Sequence, residues 1–229
     1  MGLFAIADLH FSFSVEKPMS IFGANWEGHS EKIIHSWKRE IQEEDTVLLP
    51  GDISWAMKEE DAAADLEAIQ SLPGRKIFLE GNHDYWWKSA SRLEREYKGM
   101  RFLKNDCDRY ENIFICGTRG WLCPNDSRFT PQDKKLYERE QNRLRLSLES
   151  AMRKGAKEIL LMMHFPPVND KQENSAFLEI MGEYPIKQVV YGHLHGKPSH
   201  DSGIQGEWAG IKFHLVSADY LNFCPKKIL

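Results

Sequence analysis

Five short apolar runs in this chain each end on residues of the same chemical kind. Residues 3–7 lead into Asp8 and His10, residues 47–49 into Asp52, and residues 77–79 into Asn82, His83 and Asp84. Residues 159–163 lead into His164, and residues 189–191 into His193 and His195. Between the runs lie stretches of helical period. Residues 29–42 carry Ile33, Ile34, Trp37 and Ile41 on one face, and further helices are expected at 58–71, 86–97 and 131–154. Residues 101–103 and 112–117 read as two strands joined by a polar turn, and 211–216 as a terminal strand. Strands alternating with helices predict an α/β fold with a largely parallel sheet. In such sheets ligands bind at the carboxyl ends of the strands, so the five ends should converge on one place.

Composition narrows what that place can serve. The chain has 229 residues, 41% hydrophobic and 28% charged, and no stretch resembles a linker, so residues 1–229 read as a single globular domain. A net charge of −4 makes no electrostatic case for a nucleic-acid partner. The run 159–163 is far too short to cross a bilayer, and the early Asp8 leaves no room for a signal-peptide core. Cys107, Cys116, Cys123 and Cys224 form no CxxC pair, which argues against a structural zinc site. The expectation is a cytoplasmic protein with no membrane partner; the sequence leaves its oligomeric state open.

Five of the nine histidines sit at these strand ends. With Asp8, Asp52 and Asn82 they offer nitrogen and oxygen donors and no thiolate, a mixture that suits Mn, Fe, Zn or Ni. Such a set exceeds what one ion can use while a substrate position stays open, and two carboxylate-bridged ions use it naturally. Gly51, Gly81 and Gly192 each precede a ligand candidate, where a glycine lets the backbone turn sharply or approach closely.

Asp8-Leu9-His10, Gly51-Asp52, Gly81-Asn82-His83-Asp84, His164 and Gly192-His193-Leu194-His195 resemble, in order, the signature of the calcineurin-like metallophosphoesterase superfamily. The resemblance implies a four-layer α/β/β/α sandwich with the site at the carboxyl ends of the strands. It implies two divalent transition-metal ions: Asp8, His10 and His195 on the first, Asn82, His164 and His193 on the second, and Asp52 bridging both. It implies that His83 faces the substrate, stabilising charge or protonating the leaving oxygen, with Asp84 orienting its ring. The implied reaction is in-line attack by a metal-bound hydroxide on a phosphate monoester or diester, the substrate being a phosphorylated small molecule or nucleotide.

Gly51-Asp52-Ile53-Ser54-Trp55 lacks the tyrosine ligand of purple acid phosphatases and the extension typical of protein serine/threonine phosphatases. The alternative is a non-catalytic metal-binding scaffold on the same fold, but such scaffolds typically lose the catalytic histidine or several ligands, and here none is missing. At the rim, Trp26 in the long loop 11–28, Tyr85 after the third strand end, and Arg119 are the candidates for holding substrate.

Overall fold

Strands that are apolar at nearly every position need cover on both faces. The computed structural model, which describes residues 1–229, supplies that cover with two sheets and six helices. In the first sheet β1 (Leu3–Ala5), β2 (Thr46–Pro50), β3 (Arg75–Leu79) and β4 (Met100–Phe102) run parallel. A short antiparallel β11 (Lys226–Lys227) closes the β1 edge. In the second, β6 (Ile113–Thr118), β7 (Ile159–Met163), β8 (Ile186–Tyr191) and β10 (Ile211–Leu215) run parallel. Antiparallel β5 (Cys107–Tyr110) and β9 (Gly206–Trp208) form its two edges.

The two-residue period of each strand sorts its side chains between clusters. Val47 and Leu49 pack with Ile33 and Trp37 of α1 (His29–Glu40) and Leu66 of α2 (Glu59–Gln70), while Leu48 turns the other way, to Ala5, Ile77, Leu160 and Val190. Leu161 and Met163 meet Leu144 and Leu148 of α4 (Asp133–Arg153) and Phe177 of α5 (Ala176–Gly182). Each such side chain, fully buried, contributes roughly 1.5–3 kcal/mol of transfer free energy.

The structure departs from the sequence reading in three places. The third helix, α3 (Ala90–Glu96), starts four residues later than expected, because Trp86 and Trp87 are buried in the turn before it. The expected hairpin of 101–103 with 112–117 does not form. Instead β4 extends the first sheet, the chain crosses over, and β5 pairs with β6 in the second. Arg101 holds that corner through Glu94 and Asp106. Helices α5 and α6 (Lys197–His200) and strands β5, β9 and β11 are not among the elements that the sequence predicts.

The sheets join where the ligand candidates emerge. The Ala7 N–H donates to Val216 O at 2.8 Å and the Ala218 N–H to Ala7 O at 3.0 Å, while the Asp8 N–H turns back to Gly51 O at 2.9 Å. No helix is long and apolar enough to cross a membrane, and all four cysteines are free thiols.

Candidate metal centre

Asp8, His10, Asp52, Asn82, His164, His193 and His195 all meet at this junction. His10 Nε2 lies 3.4 Å from His195 Nε2 and 3.7 Å from Asp52 Oδ2, and Asp8 Oδ1 lies 3.8 Å from both His195 Nε2 and His164 Nδ1. Asn82 Oδ1 sits 2.7 Å from His164 Nε2 and 3.0 Å from His193 Nδ1, and Asp52 Oδ2 is 3.5 Å from His164 Nε2. Two overlapping groups, Asp8 with His10 and His195 and Asp8 with Asp52 and His164, each bring three donor atoms within 4.8 Å of one another.

The backbone is bent to achieve this. Asp8, His10, Asp52 and His193 have φ of 59°, 47°, 54° and 70°, a left-handed region that few non-glycine residues enter. Such outliers persist only where their surroundings over-determine them, and they cluster at functional sites. Neighbouring glycines make the crowding tolerable. A Cβ on Gly81 would run into the Asp52 backbone and carboxylate, and one on Gly192 would lie 2.5 Å from Asp8 Oδ2.

The donor chemistry fits metal ions. His164 Nδ1 faces Pro50 O at 3.1 Å and His195 Nδ1 faces Asp219 Oδ1 at 3.0 Å, so in both rings Nδ1 carries the proton and Nε2 presents a lone pair inward. Those lone pairs point at other acceptors, His164 at Asn82 Oδ1 and His195 at His10 Nε2, an arrangement that a cation between them satisfies. Ligand atoms sharing one ion at about 2.0–2.2 Å lie about 3–3.5 Å apart, close to the spacings here. Burial holds His10, His164 and His193 well below the ordinary imidazole range, leaving them neutral and ready to coordinate. Burial also raises Asp52, and pushes Asp8 up to about 8, against the pull of His195. For His195, burial is outweighed by the bond to Asp219 and by nearby carboxylates, so its value rises.

The family model of the calcineurin-like phosphoesterases matches residues 1–197 and so takes in all seven ligand candidates. The chain belongs to that family. Its members are generally hydrolytic and typically bind two divalent metals. An uncharacterized protein of Methanocaldococcus jannaschii is 26% identical over 106 residues, which are 44% of this chain and 56% of the relative, so the match spans about half of that protein. A solved structure of a protein of unknown function from Aquifex aeolicus aligns over 99% of this chain and 95% of its own, at 17% identity and a TM-score of 0.47. A second solved chain covers 93% of this one and 88% of its own at 14% identity, with a TM-score of 0.51, and shares the fold.

Around this candidate metal centre, the remaining sequence expectations fare unevenly. His83 lines the cleft, its ring 4.4 Å from that of Trp55 and 5.8 Å from that of His10, and its backbone N–H donates to Asp52 Oδ1 at 2.8 Å. Asp84 does not orient it. Both Asp84 oxygens are taken by N–H donors from Gly81, Asp52, Ile53, Ser54 and the Trp86 indole, at 2.8–3.3 Å. Asp84 thus ties two strand ends together, while burial and then the Asp52 charge push its carboxyl up to about 7.

Trp26 is not a substrate wall. It is 2% exposed, edge-on to His10 and His195 and packed against Phe223, because two short 3-10 turns, Met19–Phe22 and Ala24–Trp26, fold the loop inward. Met19 and Phe22 of the same loop do line the cleft. Tyr85 is exposed and lies outside the residues that line it. Arg119 faces a separate hollow with Lys104 and Arg143. Its guanidinium lies over Trp121 at 4.8 Å and 3.8 Å from the buried Glu140, so it serves structure here.

Two residues escaped the sequence reading. Trp55 stacks on His10 at 4.6 Å and forms part of the cleft wall. Asp219 accepts from His195 Nδ1 and, at 2.9 Å, from the Gly196 N–H. It follows the strand at 211–215 just as the other acids follow theirs, and that strand end is not among the five that the sequence singles out.

Proposed function

We propose that this protein is a dinuclear metal-dependent phosphoesterase acting on a phosphorylated small molecule. The observation that carries the reading is the pair of inward lone-pair clusters sharing one buried carboxylate region. Asp8, His10 and His195 would hold one ion, Asn82, His164 and His193 the other, and Asp52 would bridge them. Two such ions, when bound, lower the pKa of water and neutralise phosphoryl oxygens. The chain's own residues do the rest. Asp219 fixes the proton of His195 on Nδ1, as Pro50 O does for His164, so that Nε2 of each ring faces inward. Trp26 and Trp55 pack against the His10 ring, and the half-buried His83, beside Trp55, is placed to donate a proton to the departing oxygen. The three apolar clusters, one between the sheets and one beyond each, support reading residues 1–229 as one domain of the four-layer α/β/β/α type.

The test is turnover of chromogenic phosphate monoesters and diesters by the manganese-loaded protein, alongside His83→Gln. A general acid contributes about 10²–10⁴-fold, so this variant should lose that much turnover while keeping both ions. Loss of an ion in His83→Gln would make His83 a ligand, and no turnover of any ester by the loaded parent would favour the scaffold reading.

A further inference from the structure

Catalytic groups at the metal centre account for the phosphoryl end of a substrate and leave its organic part without a place. Beside the cleft lies a second hollow of about 320 Å³, walled by Pro18, Met19, Ile21, Phe22 and Trp55. Met19, Phe22 and Trp55 line both, so this hollow is the apolar space next to a phosphoryl group held at the centre. Its size falls at the low end of ligand pockets, roughly 300–1,000 Å³.

The wall is apolar, and it is held in place. Ile21 is 76% exposed and Phe22 59%, although both stand beside a buried polar centre. The loop that carries them is anchored on either side: Trp26 is buried under the histidines, and Met19 is 3% exposed with its sulfur accepting from the Trp55 indole N–H at 2.8 Å. Lys17 Nζ donates to Trp55 O at 3.2 Å and lies 5.4 Å from the ring centre. The indole N–H and one of the three ammonium N–H groups are therefore already engaged within the wall. The polar atoms left free around the hollow belong to the exposed Glu16 and Lys17 side chains, while Pro18, Met19, Ile21, Phe22 and Trp55 offer no unengaged side-chain donor or acceptor with which to read the edge of a base or the hydroxyls of a sugar. Two large apolar side chains fixed in water at the mouth of a catalytic cleft gain their stabilisation when an apolar partner covers them.

We infer that this hollow receives the apolar organic group of the ester, so that the substrate is the phosphate ester of a hydrophobic alcohol rather than of a nucleoside or sugar. The inference rests on the hydrolytic reading above and names the substrate class for that same site.

Ethyl and n-hexyl phosphate have closely matched leaving alcohols and differ in apolar reach. A second pair, ethyl and n-hexyl p-nitrophenyl phosphate, covers a diester preference with a constant leaving group. The manganese-loaded protein should prefer the hexyl member by at least about tenfold in kcat/KM, since each buried methylene contributes roughly a fewfold. Tryptophan-fluorescence titration with ethyl- and hexylphosphonate, which are not hydrolysed, should show the same order in Kd. Phe22→Ser should bring both ratios close to one, and Phe22→Leu should retain them. Equal use of ethyl and hexyl esters by the parent, or a ratio that survives both Phe22→Ser and Ile21→Ser, would overturn the assignment. If no ester is turned over while hexylphosphonate is still preferred, the hydrolytic reading fails and the hollow keeps its role; turnover without chain-length preference has the opposite meaning.

Discussion

The two sheets feed one crevice by different means. From the first come Asp8, His10, Asp52 and Asn82, and three of these four are placed by a backbone bent to positive φ. From the second come His164, His193 and His195, of which only His193 is so bent. His164 and His195 are instead steered at Nδ1, one by a backbone carbonyl and the other by the Asp219 carboxylate. A carboxylate has a short reach, so its main chain must bring it to the ion. An imidazole reaches further but can rotate, so a second group must hold its plane and its tautomer. Strain therefore predominates in one half of the centre and hydrogen bonding in the other, His10 and His193 being imidazoles that the bent backbone places.

The largest effect should come from Asp52→Asn, which keeps the fold's shape but removes the charge expected to serve both halves. Turnover should fall by about 10³-fold or more, the scale of several kcal/mol of lost charge stabilisation, and metal analysis should find about one ion per chain. Two tightly held ions in this variant would remove the bridging role. Gly81→Ala tests the strained half without touching a ligand. Its new Cβ must displace the Asp52 backbone, so the protein should lose about 1–3 kcal/mol of stability and bind metal poorly with all seven ligand candidates present. Full ion content together with an unchanged Tm would show that the close approach is not needed.

Asp219→Ala tests the hydrogen-bonded half. Affinity for one ion should weaken by about 10–100-fold, read in a chelator competition, and affinity for the other should not change. Equal weakening of both ions would deny the division drawn here.

The smallest effect concerns a histidine outside the centre. Burial, then Lys226 and Lys212, lower His214 from 6.5 to about 4. Its contribution to stability is therefore complete above about pH 6.5 and is lost as the pH falls toward 4, where the folded protein finally takes up the proton. Replacing it by Gln, which can still donate to Gln188 Oε1 as His214 Nε2 does at 3.0 Å, should flatten Tm against pH across that window. Parallel curves for parent and variant would refute this.

What the sequence made legible follows the same division. Strand ends are local: an apolar run and the polar residue that ends it are adjacent in the chain, so Asp8, Asp52, Asn82 and His164 could be picked out before any fold was known. The split into two sheets is not local. Residues 101–117 contain the crossover, and nothing in their pattern separates an in-sheet hairpin from β4 in one sheet and β5 in the other. Trp26 looked like a substrate wall because an aromatic residue in a long loop has no partner visible in sequence; its partners, His10, His195 and Phe223, come from elsewhere in the chain. Asp84 was misread because its adjacency to His83 suggested a pair, whereas its oxygens face the N–H groups of the second strand's end. Asp219 lay beyond the last recognisable motif.

The stitch at Ala7, which bonds to Val216 and Ala218, sets an order of events during synthesis. A ribosome releases Asp8, His10 and Asp52 long before His193, His195 and Asp219, yet a complete donor set needs both ends of the chain to meet. A nascent chain can offer an ion only isolated side chains, which hold it weakly. If the centre takes the ions proposed for it, loading would thus wait until the C-terminal strands have docked, and a finished cavity rather than the emerging polypeptide would choose the ion.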